Sequence, residues 1–318
     1  MSLRERAIQG RPLRRFPIYQ SLVGSRLYPV VAWPRDELLI FRNLFAGRLR
    51  DRRTQAFCVG TAKSGTHSIA SLLGGSLRTA HEPHAMMLIN ELKGASFFSV
   101  PLARCERLLE RRDRILGLEL ESSHLLGAFV SALVELLPEA RFVLPIRDCF
   151  SWLDSMINQQ LRKGEEVEDR KWDAVWDFYF QHDRFRHPPE ERTLQKAGLH
   201  TLDGYLTYWS THNRQVLETV PTERLFVLRT DDIGPRAGEL AAFLGIPSSW
   251  VDPVRSHTYR RSSDDRLLDR LDREYVADRY DAHCRDLMRR FHPSLWESRG
   301  ARDRGARPSA APSPQPRG

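Results

Sequence analysis

Cysteine, lysine and long hydrophobic runs are all scarce in this 318-residue chain. The four cysteines show no CxxC spacing, which argues against a zinc or redox motif and predicts reduced, buried thiols. The longest apolar run near the N-terminus covers only residues 27–33, whereas a helix needs about 20 residues to cross a bilayer. With a mean hydropathy of −0.48, the composition excludes a multispan membrane protein. No apolar segment follows the Arg-rich first residues, so we expect no secretory signal and a cytoplasmic location.

Basic residues outnumber acidic ones, 49 to 41, which gives a formal net charge of +8. Such an excess favours anionic partners: nucleotides, nucleic acids, acidic membranes, or sulfated and phosphorylated small molecules. Almost all the basic residues are Arg, a bias that a GC-rich genome also produces, so charge alone does not identify the partner. Lysine is rare, and Lys63 is notable because it lies in a glycine-containing loop.

Composition divides the chain into three regions. Residues 1–50 are basic and predict an arm packed on the domain, and residues 51–297 carry the apolar pattern of a folded domain. Residues 298–318 are rich in Pro, Ala, Arg, Gly and Ser without apolar periodicity, which predicts a disordered tail. Within the domain, the charged and aromatic residues 161–200 predict a helical insertion over the sheet edge, which is a candidate lid.

Short apolar strands alternate with helices along the domain. We predict strands over residues 56–61, 116–120, 141–146 and 224–228, and an extended run over residues 78–81. We predict helices over residues 66–77, 125–137, 148–160, 205–220 and 235–244. Alternating strands and helices form a parallel sheet covered on both faces, so the predicted fold is a three-layer α/β domain with a central parallel sheet.

The segment from Gly60 to Ser68, with the sequence GTAKSGTHS, falls at the first strand-to-helix turn. Such a turn presents unpaired N–H groups and the positive end of the helix dipole, which together bind phosphate. A Walker A loop would place Lys directly after the second glycine, whereas here Thr66 follows Gly65 and Lys63 precedes it. The magnesium-binding arrangement of a P-loop kinase is therefore not expected. A simple glycine-containing turn with a solvated Lys63 is the alternative.

Arg147 and Ser155 provide a second candidate contact for phosphate. Arg147 ends the third predicted strand, at the edge where ligands of open parallel sheets bind, and Ser155 lies about two turns into the next helix. The guanidinium can hold a phosphate with two hydrogen bonds, and the serine can add a hydroxyl. Alternatively, Arg147 pairs with Asp148 and Ser155 is an ordinary surface residue.

The loop GTAKSGTHS, the later AHEP and the segment VLPIRDCFSWLDS together resemble the sulfotransferase family that uses 3′-phosphoadenosine 5′-phosphosulfate (PAPS). The resemblance covers roughly residues 55–250 and implies a P-loop NTPase-like sulfotransferase fold. The chain departs from the family at Ala62, where Pro is common, at His67, where Thr is common, and at Cys149, where Pro often follows the Arg-Asp pair. None of these departures removes a phosphate ligand.

The resemblance also implies roles for individual residues. Lys63 would contact the bridging oxygen of the donor, and Arg147 with Ser155 would bind its 3′-phosphate. Arg260 and Arg261 would close over that 3′-phosphate, unless they form a solvated basic pair. No catalytic metal is expected. The residues implied to hold the 5′-phosphate are Ser64, Gly65, Thr66, His67 and Ser68.

The acceptor hydroxyl needs a general base, for which the sequence offers two candidates. Glu82 follows the extended run and should emerge at the ligand-binding edge, and several bacterial and Golgi-type family members use a Glu at this place. His124 lies 23 residues before Arg147, close to the spacing of the catalytic His in cytosolic members. We favour Glu82 as the base, with His124 as its partner or substitute. Alternatively, Glu82 is an acid at a helix start beside Pro83, and His124 is a helix N-terminal or packing residue.

The sequence says less about the acceptor side. Aromatic residues of the insertion form either a wall for the acceptor or the insertion's own small core: Trp172, Trp176, Phe178, Tyr179 and Phe180. Four histidines lack a convincing metal spacing and are interpreted as surface or lid residues: His81, His84, His182 and His187.

The sequence thus predicts an enzyme that transfers a sulfuryl group from PAPS to a hydroxyl or phenol of a small-molecule or glycan acceptor. A P-loop kinase that uses ATP and Mg²⁺ is the main alternative, and the position of Lys63 argues against it. A polyanion-binding protein is a further alternative. Because acidic residues are interspersed with the basic ones and no helix-turn-helix or RNP signature is present, we expect no nucleic-acid partner.

Overall fold

The computed structural model describes residues 28–92, 95, 98–162, 170–254 and 267–305. Residues 1–27 of the predicted arm, residues 306–318 of the predicted tail, and the pair Arg260 and Arg261 lie outside the described residues.

Five parallel strands form the sheet of the described residues, in the spatial order β2-β3-β1-β4-β5. The α/β fold with a central parallel sheet is therefore confirmed. The strands are β1 (Ala56–Cys58), β2 (Thr79–His81), β3 (Leu120–Ser122), β4 (Arg141–Ile146) and β5 (Leu225–Arg229).

Helices connect these strands and cover the sheet. In chain order they are α1 (Tyr28–Phe45), α2 (Thr66–Leu73), α3 (Ala85–Leu92), α4 (Leu102–Leu116), α5 (Val130–Leu136), α6 (Cys149–Leu161), α7 (Arg170–Tyr179), α8 (Arg192–Lys196), α9 (Leu202–Thr219), α10 (Ala237–Leu244), α11 (Arg273–Phe291) and α12 (Pro293–Gly305). A 3₁₀ segment, His124–Phe129, leads into α5, and another, Thr230–Asp232, follows β5.

Both faces of the sheet are buried, which explains the continuous apolar runs of its strands. Phe57 and Phe142 point to one face, where they pack with α5, α6 and α9. Cys58 and Val143 point to the other face, where they pack with α2 and α10. Successive residues of a strand thus serve opposite layers, and the three-layer arrangement follows from this alternation.

The short strands β1, β2 and β3 end at the same level. Cys58 lies opposite Ser122 on one side and Val143 on the other, and His81 also lies opposite Ser122. The strand order reverses at β1, so the loop after β1 opens into the crevice where ligands of such sheets bind. The residues that follow these strands are therefore brought together at one edge.

Some predicted boundaries differ from the structure. The predicted strand 116–120 is wrong except at its last residue, because β3 begins only at Leu120. The preceding helix, α4, runs to Leu116 and ends at Gly117, a left-handed residue with φ of 55°. A Cβ at Gly117 would lie 2.9 Å from the side chain of the buried Asn43, so glycine is required there. The predicted helix from residue 66 already ends at Leu73, before Gly74.

The regions outside the core domain are partly helical. In the predicted arm, α1 packs on α4, where the Asn43 side chain donates hydrogen bonds to the carbonyls of Arg114 and Ile115 at 3.0 and 2.8 Å. Residues 298–305 of the predicted tail continue α12, whose Arg299 lies over the ring of Phe150 at 4.2 Å. Two helices, α7 and α8, lie within the segment of the predicted insertion.

All four cysteines are free and buried, and the prediction that they are buried is confirmed. Their positions are distributed over the fold. Cys58 lies on β1, Cys105 on α4, Cys149 on α6 and Cys284 on α11. Within the described residues, no helix combines the length and hydrophobicity that a membrane crossing requires.

Candidate active site

The loop after β1 has a backbone that only glycine permits at two positions. A Cβ on Gly60 would lie 2.4 Å from the Ser64 hydroxyl, and a Cβ on Gly65 would lie 2.7 Å from the side chain of Ile233. Gly65 also has a φ of 102°, and Lys63 has a φ of 66°, both in the left-handed region. The turn between β1 and α2 therefore follows a tight, defined path.

Side chains from other elements hold this loop in place. The Tyr208 hydroxyl accepts a hydrogen bond from the Ala62 amide at 3.1 Å, and the Trp152 indole donates to the Ala62 carbonyl at 2.7 Å. The Thr230 hydroxyl donates to the Ser64 carbonyl at 2.6 Å. These contacts come from α9, α6 and the turn after β5, so the loop is fixed before any ligand binds.

The start of α2 presents backbone donors to the same space. The N-cap residue of this helix is Gly65, which has no side chain that could cap it. The first amides of a helix have no intrahelical partner and carry the positive end of its dipole. Ser64 differs from its neighbours: its buried hydroxyl donates to the Thr61 carbonyl at 2.7 Å and so belongs to the loop's own framework.

A cavity of about 340 Å³ lies over this loop. Most of the candidate residues named from the sequence line it, with the exception of Ser64 and of the arginines outside the described residues. Its lining residues are Ala62, Lys63, Gly65, Thr66, His67, Ser68, His81, Glu82, His124, Arg147, Ser155, Gln159, Trp172, Trp176 and Thr230.

Arg147 and Ser155 lie together in this cavity, and Arg147 is held toward the loop. Its guanidinium donates to the Ser151 hydroxyl at 2.9 Å and to the Lys63 carbonyl at 3.3 Å. Asp148 does not take the pairing role considered above. It caps α6 instead, accepting from the Ser151 amide at 2.9 Å. The Arg147 fork therefore points into the cavity from the end of β4.

Glu82 and His124 form a hydrogen-bonded pair. The Glu82 Oε1 atom lies 2.6 Å from His124 Nδ1. The pair forms because the β2–β3 pairing continues for one residue: the Glu82 amide donates to the Ser122 carbonyl at 2.8 Å, and His124 begins the 3₁₀ segment just after β3. Among the described residues the other ring nitrogen, Nε2, is buried without a hydrogen-bond partner.

The electrostatics keep Glu82 ionised. Burial by itself would raise the pKa of Glu82, but the charge and hydrogen bond of His124, with the charges of His81 and His67, lower this pKa to about 2. A carboxylate with so low a pKa is a weak proton acceptor and a strong orienting partner for the imidazole.

Arg112 positions Glu82 through the backbone. It lies on α4 and is almost completely buried, and it donates to the carbonyl of Pro83 and, at 3.0 Å, to that of His84. Glu121 on β3 balances its charge, with Oε1 3.1 Å from the Arg112 Nε atom. Glu82 and His84 both have positive φ, 49° and 44°, a costly conformation that persists only where the surroundings hold it.

Sequence reasoning missed Arg112, although its signal is visible. The buried face of α4 consists of Cys105, Leu109, Arg112 and Ile115, so an Arg occupies a core position of an amphipathic helix. A buried Arg requires a carboxylate and carbonyl partners. Thr230 carries no comparable signal, because it is an ordinary residue after a strand.

The aromatic residues of the insertion divide between the cavity and the core of the domain. Trp172 and Trp176 line the cavity, and the Trp176 ring stacks on His124 with a centroid distance of 5.4 Å and an interplanar angle of 10°. Tyr179 and Phe180 are fully buried, and Phe178 packs against the core. One end of α7 thus forms a wall of the cavity, and the other end belongs to the core.

The chain is similar to a known protein family and to solved structures. A family model described as a sulfotransferase domain matches residues 55–254. Among solved structures, the chain is similar to a sulfotransferase from Alicyclobacillus acidocaldarius, with 14% identity and a TM-score of 0.39, over 77% of this chain and 98% of that chain. A search of curated proteins found no significant match.

Proposed function

The chain belongs to the sulfotransferase domain family, and from this premise we propose that it transfers a sulfuryl group from PAPS to a hydroxyl group of a small-molecule or glycan acceptor. The observation that carries the proposal is the shared cavity. The loop with Lys63, the pair Arg147 and Ser155, and the pair Glu82 and His124 all line it. In the proposed function these groups would serve as a phosphate cradle, a second anion contact and a proton acceptor within one cavity.

The donor would bind along the loop and the end of β4. The amides at the start of α2, with Thr66, His67 and Ser68, would hold the 5′-phosphate. Arg147 and Ser155 would hold the 3′-phosphate. Lys63 lies within the loop, where its ammonium can neutralise the charge that builds on the leaving phosphate oxygen. This position supports sulfuryl transfer over a kinase reaction, because a Walker A lysine follows the second glycine.

The acceptor would lose its proton to the pair at the ends of β2 and β3. The low pKa of Glu82 makes it a weak base, and its Oε1 atom is already hydrogen-bonded to His124 Nδ1. We therefore assign the base to His124 and not to Glu82: Nε2 takes the proton while Glu82 orients the ring and balances the charge it gains. The acceptor oxygen forms its bond to sulfur as the bond between sulfur and the phosphate oxygen breaks. The products are a sulfate ester and 3′-phosphoadenosine 5′-phosphate (PAP).

The wall of Trp172 and Trp176 shapes the acceptor's environment. Flat indole faces favour contact with an aromatic ring or with the apolar face of a sugar. A phenol or a glycan hydroxyl is therefore the acceptor class that this cavity favours. Exclusion of water by the same wall protects the sulfuryl group from hydrolysis.

Calorimetric titration with PAP, AMP and ATP·Mg²⁺ tests the donor assignment without an acceptor. We expect PAP to bind more tightly than AMP, because its 3′-phosphate contacts Arg147, and charge-assisted contacts of this kind contribute roughly 1.5–3 kcal/mol each. Arg147→Ala should remove most of that preference. The matched control is Arg229→Ala, since Arg229 ends the neighbouring strand β5 but is exposed and paired with Asp232. Preference for ATP·Mg²⁺, or a PAP preference unchanged in Arg147→Ala, would refute the proposal.

A further inference from the structure

A cluster of metal-binding side chains lies at the far end of α7. One ligand atom from each of Asp177, His182 and His200 lies within 4.8 Å of the others. Local sequence patterns do not predict this cluster, because His200 lies 18 residues after His182 and no metal-binding spacing joins them. The fold brings together three segments: α7, the turn that follows it, and the residues just before α9.

The turn after α7 returns His182 to the side of Asp177. Gln181 adopts a left-handed conformation with φ of 49°, and the His182 amide donates to the Asp177 carbonyl at 3.0 Å. This is the pattern of a Schellman cap, in which glycine is the usual left-handed residue. The backbone therefore holds the imidazole of His182 near the carboxylate of Asp177.

His200 is the rigid member of the cluster. Its side chain is only 12% exposed, and its Nε2 atom lies 3.0 Å from Asp177 Oδ1. The ring meets Phe180 at a centroid distance of 5.0 Å and His182 edge-on at 5.7 Å. Among the described residues, its other ring nitrogen, Nδ1, is buried without a hydrogen-bond partner.

Two imidazole nitrogens and one carboxylate oxygen are a donor set that suits zinc. We propose that Asp177, His182 and His200 form a binding site for Zn²⁺, with water completing the coordination. Ligand atoms of a tetrahedral zinc site lie about 3.4 Å apart. The three ligand atoms lie within 4.8 Å of one another, and the side chains of Asp177 and His182 are exposed, so they have room to rotate toward that separation.

A simple ion pair between His200 and Asp177 is the competing explanation, and the chain contains such a pair for comparison. His283 Nε2 lies 2.7 Å from Asp203 Oδ1, but Arg279 also lies 3.4 Å from that oxygen. A cation at this carboxylate opposes a metal ion there, and no second histidine joins that pair among the described residues. The His200 cluster has the opposite character, with a further imidazole in place of the arginine.

A metal ion at this site would fasten the end of α7 and not take part in the transfer. The His200 ring contacts Phe180, Phe180 stacks on Trp176 at 5.6 Å, and Trp176 stacks on His124 at 5.4 Å. Zinc binding would thus hold the helix that presents the aromatic wall of the cavity. The proposal does not depend on the donor, because none of its ligands lines that cavity.

Titration of the full chain with Zn²⁺ and with Co²⁺, after dialysis against a chelator, tests the site. We expect one equivalent of Zn²⁺ by calorimetry and visible absorption bands with Co²⁺ that report tetrahedral coordination. His182→Ala and Asp177→Asn should each weaken Zn²⁺ affinity by at least about tenfold. His283→Ala is the matched control and should bind as the wild type does. Absence of a stoichiometric site, equal binding in wild type and His182→Ala, or an equal loss in His283→Ala would overturn the proposal; PAP titration of the same variants reports on the donor site separately.

Discussion

The roles of Glu82 and His124 can be separated by two substitutions that keep the shape of the site. Glu82→Gln retains a hydrogen-bonding group beside His124 Nδ1 but removes the charge, and His124→Gln removes the proton acceptor. In the proposed mechanism the histidine accepts the proton and the carboxylate only assists it. The two variants should therefore differ in the size of their effect.

The contact geometry sets the expected magnitudes. The Glu82–His124 contact of 2.6 Å is a charge-assisted hydrogen bond, and such a bond contributes about 1.5–3 kcal/mol. Glu82→Gln should thus lower turnover by roughly 10- to 150-fold. Loss of a general base costs roughly 10²–10⁴-fold, so His124→Gln should be the more damaging change.

Turnover should be measured with a plain alcohol as acceptor, because an acidic phenol is already partly ionised and needs little help from a base. PAP affinity, measured for each variant, is the control for folding and donor binding, and it should stay close to the wild-type value. Near-normal turnover in His124→Gln together with a loss of 10²-fold or more in Glu82→Gln, roughly the loss of a general base, would return the role of base to Glu82. Equal losses in both variants would show that the proton is shared by the pair.

Three further outcomes are expected. Lys63→Ala should lower kcat far more than it weakens PAP affinity, since its contact is strongest with the charge that develops during transfer, and kcat in a chelator such as EDTA should match kcat with added Mg²⁺. Arg112→Met should lower kcat while PAP affinity is retained, and Arg112→Lys should restore part of the kcat because Lys can still donate to the carbonyls of Pro83 and His84. The third outcome concerns the pH dependence of stability. The pKa of Glu82 is about 2 in the folded chain, below its ordinary value of 4.5. The ionised Glu82 side chain therefore stabilises the fold above pH 4.5, and this stabilisation is lost as the pH falls toward 2. Denaturant titrations between these pH values should show that Glu82→Gln abolishes a pH-dependent loss of roughly 3 kcal/mol in the free energy of unfolding.

The sequence predicts those parts of the site that depend on a single strand and the turn after it. The loop from Gly60 to Ser68 and the pair Arg147 and Ser155 each follow one strand, and parallel strands place their carboxyl ends at one edge. Their arrival in one cavity therefore follows from local patterns alone. Their contacts with the donor stay predictions.

Contacts between separate helices and strands cannot be predicted from such local patterns. The hydrogen bond between Glu82 and His124 depends on the register of β2 against β3, and a shift by one residue would turn Glu82 away. The position of Arg112 beneath Pro83 depends on the packing of α4, a helix that the sequence reasoning did not assign. The approach of His200 to His182 likewise depends on how α7 lies beside α9.

The four buried cysteines can be used to measure local opening of the folded chain. A thiol reagent modifies a buried cysteine only when the surrounding structure opens, so the labelling rate measures the free energy of that opening. Burial raises the pKa of Cys58 to about 11, which keeps this thiol protonated and slow to react while the sheet is intact. Because the cysteines occupy β1, α4, α6 and α11, mass spectrometry of labelled peptides would resolve four regions without an engineered probe. Ligand binding over β1 should therefore slow the modification of Cys58 more than it slows the modification of Cys105.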